Sequence, residues 1–524
     1  MHLFFWNNPL VVSAMRLKYR RSSPGLVACL YVLALMGVGS LLFYNQASFA
    51  MPVGRSFLVA ILGIQFVLSA LIGLGTVSSS MNAEVNNRTL DFQRIVSLSP
   101  REILVGKLIG EPALSYFLAM STIPLVVLCW FQGGATFAAI LLFYMNIVTF
   151  TLMCASLGLL HTLAEPSQTP GKARAGSIGG FAFMAFMFVP SMIMRGTGAF
   201  SNPWVGLGFN LLTPIGSLLE LSNGDPLASE IVLWGLPLPS LLVAPLAQLA
   251  VATWFVHAMS RRLESPDQTV FGRRDVYFVL TVVDILVVGV CYTQWRRGWI
   301  ADELVAQYCL AHVVVCLILL LGATPSRTML MTWLWRFRGQ RSWSRDSLFF
   351  SRAEITLALA AMWIIGIGIL LMGFVIPATF ASWGRRSPFN WYVLGEQLVV
   401  AGILVYALGI GCQYCQVIAR KSGLVVFVCV VVFLNLTPPL LAGLIDFGNA
   451  FGSRDSPIDL IYSLSPVVYF TSCTGSSWGY SLPSLPLIIL YLLCAWIAHT
   501  SFRIWRDQQA RTIAVKIEQM TANA

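Results

Sequence analysis

Twelve long apolar segments recur along this chain of 524 residues, and they constrain its fold more than any other feature. A helix needs about 20 apolar residues to cross the hydrocarbon core of a bilayer, and each segment is close to that length or longer. We therefore predict an all-α integral membrane protein of about twelve transmembrane helices. The predicted spans are 25–44, 57–80, 111–131, 135–160, 177–195, 231–259, 276–294, 304–323, 353–380, 394–418, 424–446 and 485–502.

The amino-acid composition excludes two other classes of protein. Hydrophobic residues make up 57% of the chain and charged residues only 10%. Soluble domains usually carry about 25% charged residues, and disordered chains are poor in apolar residues and rich in charge. An ordinary soluble enzyme and a disordered chain are both excluded.

The distribution of Lys and Arg predicts the orientation. With the N-terminus inside, alternate loops on the inner side hold 26 of the 33 basic residues. Cytoplasmic loops carry such an excess, so the net charge of +11 indicates membrane topology rather than nucleic-acid binding. We expect a multi-pass protein of a plasma membrane, specifically the inner membrane of a bacterium. Both termini are expected to lie in the cytoplasm.

Two short matches at one offset predict a tandem repeat. Ser99-Pro100-Arg101-Glu102-Ile103 and Ser351-Arg352-Ala353-Glu354-Ile355 lie 252 positions apart, as do Leu212-Thr213-Pro214 and Leu464-Ser465-Pro466. Each pair occupies equivalent loops of two six-span halves. We predict two halves of the same orientation, 1–260 and 261–524, and short re-entrant or interfacial helices before each sixth span.

The loop from Met81 to Gly110 mixes charges with regularly spaced apolar residues. This pattern predicts an amphipathic helix, a turn at Ser99-Pro100, and a second helix with Glu102 in its first turn, where an acid suits the helix dipole. The pattern alone leaves two roles open: docking a cytoplasmic partner, or lying on the membrane surface.

The loop also carries a recognisable series of residues: Glu84, Arg88-Thr89-Leu90, Leu98-Ser99-Pro100, Glu102-Ile103-Leu104 and Gly106-Lys107. This series resembles the first cytoplasmic loop of ABC-2-type permeases, the membrane subunits of type V ABC exporters. The layout of both halves is similar to that family, whereas the motif itself is good only in the first half. The resemblance implies a permease that moves substrate across the membrane.

In that family the loop is a coupling helix that sits in a groove of the ATP-binding subunit. The resemblance implies that the corresponding residues here face the ATPase or brace the loop. These residues are Glu84, Arg88, Asp91, Pro100, Arg101, Glu102, Ile103 and Lys107.

The matching loop of the second half departs from the pattern, because Arg352-Ala353 replaces Pro100-Arg101 and Leu359 replaces Lys107. It either docks an ATPase through other contacts or holds anionic lipid head groups. Its candidate coupling residues are Arg345, Asp346, Arg352 and Glu354.

The chain contains no G-x-x-x-x-G-K-[ST] motif for binding nucleotide phosphates. By the resemblance, ATP and magnesium would be bound by two separate cytoplasmic P-loop subunits, and this chain would bind no cofactor and catalyse no reaction. Its other partners would be membrane lipids.

Asp284 lies midway along the predicted span 276–294, and Glu396 lies near the outer end of the predicted span 394–418. Intramembrane acids are functional candidates by default, although either could simply belong to an interhelical hydrogen bond. They support an alternative function, a secondary transporter driven by protons or sodium. A membrane-embedded transferase is a third hypothesis, but no convergent His, Asp or Glu set is visible. The five His show no metal spacing, so we expect no metal site.

Overall fold

The computed structural model describes a largely helical chain. The described residues are 8–21, 24–44, 52–87, 89, 99–164, 212–213, 215–223, 230–264, 269–296, 309, 312–313, 315–317, 319–320, 322–325, 327–336, 391–418, 423–448, 461–472 and 484–522. The chain forms two compact units, Met1–Pro266 and Asp267–Ala524. Whether each unit holds six spans, and whether the two arose by duplication, remains a prediction.

Helices form most of the described part of the first unit. They are α1 (Pro9–Arg21), α2 (Pro24–Tyr44), α3 (Val53–Asn86), α4 (Pro100–Gly110), α5 (Ala113–Ser121), α6 (Ile123–Phe131), α7 (Phe137–Ala164), α8 (Ile215–Asn223) and α9 (Ser240–Glu264). Prolines mark several helix starts, since proline lacks the N–H that the first helical turn leaves unpaired anyway. Pro24 and Pro100 are first residues of this kind.

The core of the first unit lies where α3 packs against α7, and α7 in turn packs against α9. Phe66 of α3 meets Phe143 and Phe150 of α7 edge to face, with ring centroids 6.5 and 6.0 Å apart. Further along, the two backbones approach closely at Gly158, where an added Cβ would lie 2.7 Å from the carbonyl oxygen of Leu74. Small residues permit such close helix packing in membranes.

Buried polar side chains join α7 to α9 by hydrogen bonds. Gln248 of α9 accepts a 2.6 Å hydrogen bond from the Thr149 hydroxyl and donates to the Asn146 side chain at 3.4 Å. The Asn146 amide also donates to the carbonyl of Leu241 at 3.0 Å. Because lipid offers no hydrogen-bond partners, such groups must satisfy one another inside the bundle.

The predicted span 231–259 is wrong at its start. Residues Glu230–Leu233 (β1) and Leu236–Pro239 (β2) form an antiparallel hairpin, and α9 begins only at Ser240. Trp234 and Gly235 have φ values of 55° and 81°, as a two-residue turn of a twisted hairpin requires. The fold is therefore not entirely α-helical.

The predicted span 111–131 is part of a longer helical segment, Pro100–Phe131. It comprises α4, α5 and α6, which are separated at Glu111-Pro112 and at Thr122. Pro112 and Pro124 lie at these breaks, where each removes a backbone donor. Helix α4, which contains Glu102-Ile103-Leu104 and Gly106-Lys107, thus runs directly into an apolar span.

The second unit contains α10 (Arg273–Arg296), α11 (Arg327–Arg336), α12 (Trp391–Ile418), α13 (Gly423–Gly448), α14 (Pro466–Ser472) and α15 (Leu485–Ala522) within its described part. Helix α12 packs against both α13 and α15. Arg327 donates to the Val417 carbonyl of α12 at 3.3 Å and lies 5.8 Å from the ring centre of Trp505 in α15. This Arg joins the C-terminal part of α12 to α15.

Short helices occur close to both Leu-Thr/Ser-Pro sequences. Helix α8 begins at Ile215, directly after Pro214, and α14 begins at Pro466 itself. Thr213 and Ser465 are both buried. The predicted re-entrant or interfacial helices are at 205–212 and 458–470, and α14 overlaps the second of these ranges. Residues 205–211 lie outside the described part of the chain, so the first short helix stays a prediction, as does the placement of both in a membrane.

Seven segments among the described residues are long and apolar enough to cross a membrane, which is compatible with a membrane protein. They are Pro24–Tyr44, Val53–Asn86, Pro100–Phe131, Phe137–Leu160, Ser240–Glu264, Gly395–Ile418 and Leu485–Lys516. The predicted spans 177–195 and 353–380 lie outside the described residues. The count of twelve and the inward-facing termini remain predictions.

We expect Gly158→Ala to lower the free energy of unfolding by about 1–3 kcal/mol, because overpacking forces the α3 and α7 backbones apart. Chemical denaturation of the purified protein in detergent micelles measures this loss. Gly75→Ala in α3 is the control, since its added methyl meets nothing within 4 Å. Equal stability of the two variants would contradict the close packing.

Candidate functional site

Helix α4 begins with a reciprocal pair of hydrogen bonds between Ser99 and Glu102. The Ser99 hydroxyl accepts from the Glu102 backbone N–H at 3.3 Å, and the Glu102 carboxylate accepts from the Ser99 N–H at 2.9 Å. Pro100 occupies the first turn. This is a capping box, which satisfies two backbone donors that the helix start would otherwise leave unpaired. The predicted turn and helix start are thus confirmed.

One turn further along, Lys107 forms a buried ion pair with Glu84 at the end of α3. The Lys107 Nζ lies 2.7 Å from Glu84 Oε1, and the two side chains are 4% and 21% exposed. The Lys107 ammonium also donates to the Ser80 hydroxyl at 3.1 Å, and Ser80 donates to Glu111 Oε1 at 2.7 Å. The cation is therefore paired directly with Glu84 and linked to Glu111 through the Ser80 hydroxyl, and it braces α4 against α3.

Helix α3 is long enough to extend this site beyond the hydrocarbon core. Its 34 residues span about 51 Å at about 1.5 Å per residue, whereas the core is about 30 Å thick. The polar end of α3, which contains Ser80 and Glu84, is the part that can project. The brace between α3 and α4 therefore fits the boundary between lipid and water.

The segment before α1 holds α4 from another side. The Asn8 side chain donates to the Glu102 carbonyl at 2.9 Å, and its Oδ1 accepts from the Leu10 N–H at 2.9 Å. Helix α1 then approaches two glycines of α4. A Cβ added at Gly106 would lie 2.9 Å from Leu10 Cβ, and one added at Gly110 would lie 2.9 Å from Ala14 Cβ.

The structure divides the predicted coupling residues into two groups. Arg101 and Glu102 are exposed, so they are available to another molecule. Lys107 and Ile103 are buried, and Glu84 is paired with Lys107. These three residues position α4 rather than present a docking surface.

Several predicted coupling residues lie outside the described part of the chain. They are Arg88, Asp91, Arg345, Asp346, Arg352 and Glu354. Pro100, in contrast, is described and partly buried at the start of α4.

Asp284 of α10 pairs with a residue that sequence analysis did not connect to it. The His312 Nδ1 lies 2.9 Å from Asp284 Oδ1, and the side chains are 2% and 20% exposed. Cys316 is also buried, one helical turn after His312. The only available sequence signal was that both residues fall inside neighbouring predicted spans.

Glu396 of α12 accepts a long hydrogen bond, 3.5 Å, from the Tyr469 hydroxyl of α14. The next residue, Gln397, was missed by sequence analysis because one amide in an apolar segment carries little signal. It is 1% exposed, and its amide nitrogen and oxygen have no hydrogen-bond partner among the described residues. Glu396 thus contacts Tyr469, whereas Asp284 contacts His312.

Comparison with known proteins identifies no relative. No family model matches the chain, and neither the curated proteins nor the solved structures contain a significant match. Within the described ranges, no three His, Cys, Asp or Glu residues are grouped so as to hold a metal ion.

We expect Lys107→Met to destabilise the first unit by about 3 kcal/mol, because it leaves the Glu84 carboxylate without its buried partner. The double variant Lys107→Met with Glu84→Gln should recover most of this loss, since no unpaired charge remains. Denaturant titration in detergent measures both. The control is Arg101→Gln at an exposed position, expected to change stability by less than about 0.5 kcal/mol. A single variant as stable as the wild type would refute the brace.

Proposed function

We propose that the chain is the permease subunit of an ATP-binding cassette transporter, and specifically of an exporter of the ABC-2 type. It would couple ATP hydrolysis by separate cytoplasmic subunits to the movement of substrate. The observation that carries the proposal is the start of α4, where exposed Arg101 and Glu102 lie within the capping box and precede the ion pair of Lys107 with Glu84. This arrangement presents charged groups on a rigid element at the end of an apolar bundle.

In this proposal α4 acts as a lever. A partner that pulls on Arg101 and Glu102 moves α4 as one body, because the capping box fixes its start. The ion pair between Lys107 and Glu84 passes the movement to α3, and α3 packs against α7 in the core of the unit. Packed cores switch between discrete arrangements rather than deforming continuously, so a small displacement at α4 is transmitted to the bundle.

The remaining parts of the proposal follow from the family resemblance. Two ATP-binding subunits would bind ATP and magnesium, one beneath each half, in a bacterial inner membrane with both chain termini in the cytoplasm. Arg88 and Asp91 would contribute to docking in the first half. The second half would use a different set: Arg345, Asp346, Arg352 and Glu354.

The test is co-purification of the tagged chain from its native membrane, with ATPase activity assayed on the eluate. We expect a P-loop subunit at two copies per chain. Arg101→Glu should reduce the copurified ATPase about tenfold, because a reversed charge at a docking contact costs more than 1.4 kcal/mol. Glu102→Gln should also weaken it while preserving the helix cap, since glutamine serves in the same capping position.

Glu230→Gln, at an exposed acid of the β hairpin, is the matched control and should retain the partner. Thermal unfolding of each variant in detergent checks that the fold is intact. A chain that purifies without any ATPase, or whose partner is insensitive to both α4 variants, would contradict the proposal.

A second candidate function, an ion-driven secondary transporter, is favoured by the 2.9 Å contact between Asp284 and His312. A carboxylate and an imidazole in contact form a group able to exchange protons. In proteoliposomes with an imposed pH or sodium gradient, such a carrier moves the ion, and Asp284→Asn abolishes that flux. Asp507→Asn, at an exposed acid, should leave the flux unchanged. Equal flux in wild type and Asp284→Asn would remove this pair from the transport site.

A further inference from the structure

Helix α1 is strongly basic toward its C-terminal end. Arg16, Lys18, Arg20 and Arg21 fall within six positions, and the helix Pro9–Arg21 contains no acidic residue. Its first half is apolar, and Val11 is buried, whereas Arg16 is exposed. The apolar first half packs against α4, so the basic end is the part of α1 that can attract an anionic membrane surface.

The chain also fixes how far this basic end lies from the lipid. Helix α1 ends at Arg21, and the apolar segment α2 begins at Pro24. Three steps between Cα atoms cover at most about 11 Å. The headgroup region of each leaflet is several ångströms thick, so the basic end of α1 lies within reach of the headgroups.

We propose that α1 binds anionic lipid headgroups and that this binding steadies α4. Clusters of four or more Lys and Arg next to a membrane span attract anionic lipids. The proposed ligand is therefore the phosphate-bearing headgroup of an acidic phospholipid, attracted by the four positive charges that the sequence of α1 carries within residues 16–21.

Helix α1 acts on α4 through the contact that it makes with two glycines of α4. Gly106 and Gly110 form a G-x-x-x-G step on α4, and α1 places Leu10, Val11 and Ala14 against it. Small residues at this spacing bring helix backbones into direct contact. Asn8 adds a hydrogen bond to the Glu102 carbonyl. Lipid that immobilises α1 therefore also restricts α4, and this inference holds whether or not an ATPase is the partner of α4.

The test measures amide hydrogen exchange of the full-length chain in nanodiscs. One set contains phosphatidylcholine alone and the other contains phosphatidylcholine with phosphatidylglycerol. We expect exchange in residues 9–21 and 100–110 to slow by roughly fivefold or more with the anionic lipid. High salt should remove the difference, because it screens charges at the surface.

Two variants and one charge-matched control separate lipid binding by α1 from its effect on α4. The variant R16Q/K18Q/R20Q/R21Q should lose the lipid dependence in both helices, whereas R503Q/R506Q/R511Q/K516Q, which removes the same number of charges from α15, should keep it. Gly110→Leu should preserve the lipid dependence of α1 but abolish that of α4, because the larger side chain separates Ala14 of α1 from position 110 of α4.

Three outcomes would overturn the proposal. The first is equal exchange of α1 in the two lipids, and the second is a lipid dependence that survives R16Q/K18Q/R20Q/R21Q. The third is protection of α1 that requires an added ATP-binding subunit instead of anionic lipid, which would make this surface a protein-docking site. Absence of a copurified ATPase would refute the proposed function without affecting these measurements.

Discussion

An apolar interior offers no hydrogen-bond partners, and this constraint is visible in the described core of the first unit. Backbone groups are satisfied inside helices, and several buried polar side chains find partners on neighbouring helices. The Thr149 hydroxyl and the Asn146 amide both meet Gln248, and the Asn146 amide also reaches a backbone carbonyl. The same constraint explains the Lys107 brace, since an ammonium that is 4% exposed requires a carboxylate beside it.

The ion pair between Lys107 and Glu84 helps to hold the start of α4 in a fixed position. A helix that is only capped can pivot, whereas α4 is capped at Ser99, paired through Lys107 to α3, and packed on α1 through Gly106 and Gly110. Its exposed residues therefore sit on a support that is fixed from three directions. Preorganised supports of this kind are what transmit a displacement instead of absorbing it.

Sequence patterns predicted those features that depend on local chemistry. Ser99-Pro100 followed by Glu102 carries its own signal for a helix start, because each hydrogen bond of the capping box joins residues three apart. The pairing of Asp284 with His312 joins residues 28 apart on separate segments, so no periodicity reveals it. The apolar residues of the hairpin at 230–239 favour a helix in the sequence pattern, and they outweigh the turn signal of Trp234-Gly235.

The two units distribute their charges differently, and this bears on mechanism. At the offset of 252 positions, Lys107 corresponds to Leu359 and Asp284 corresponds to Val32. The second unit thus lacks the cation at the position of the brace, and the first lacks the acid that contacts His312. If both units bind an ATPase, the contact in the second must be stabilised by other residues. If the two units are repeats at this offset, the ion pair of Lys107 with Glu84 has no counterpart in the second unit, and the contact of Asp284 with His312 has none in the first. Two repeats that differ in this way would not be interchangeable.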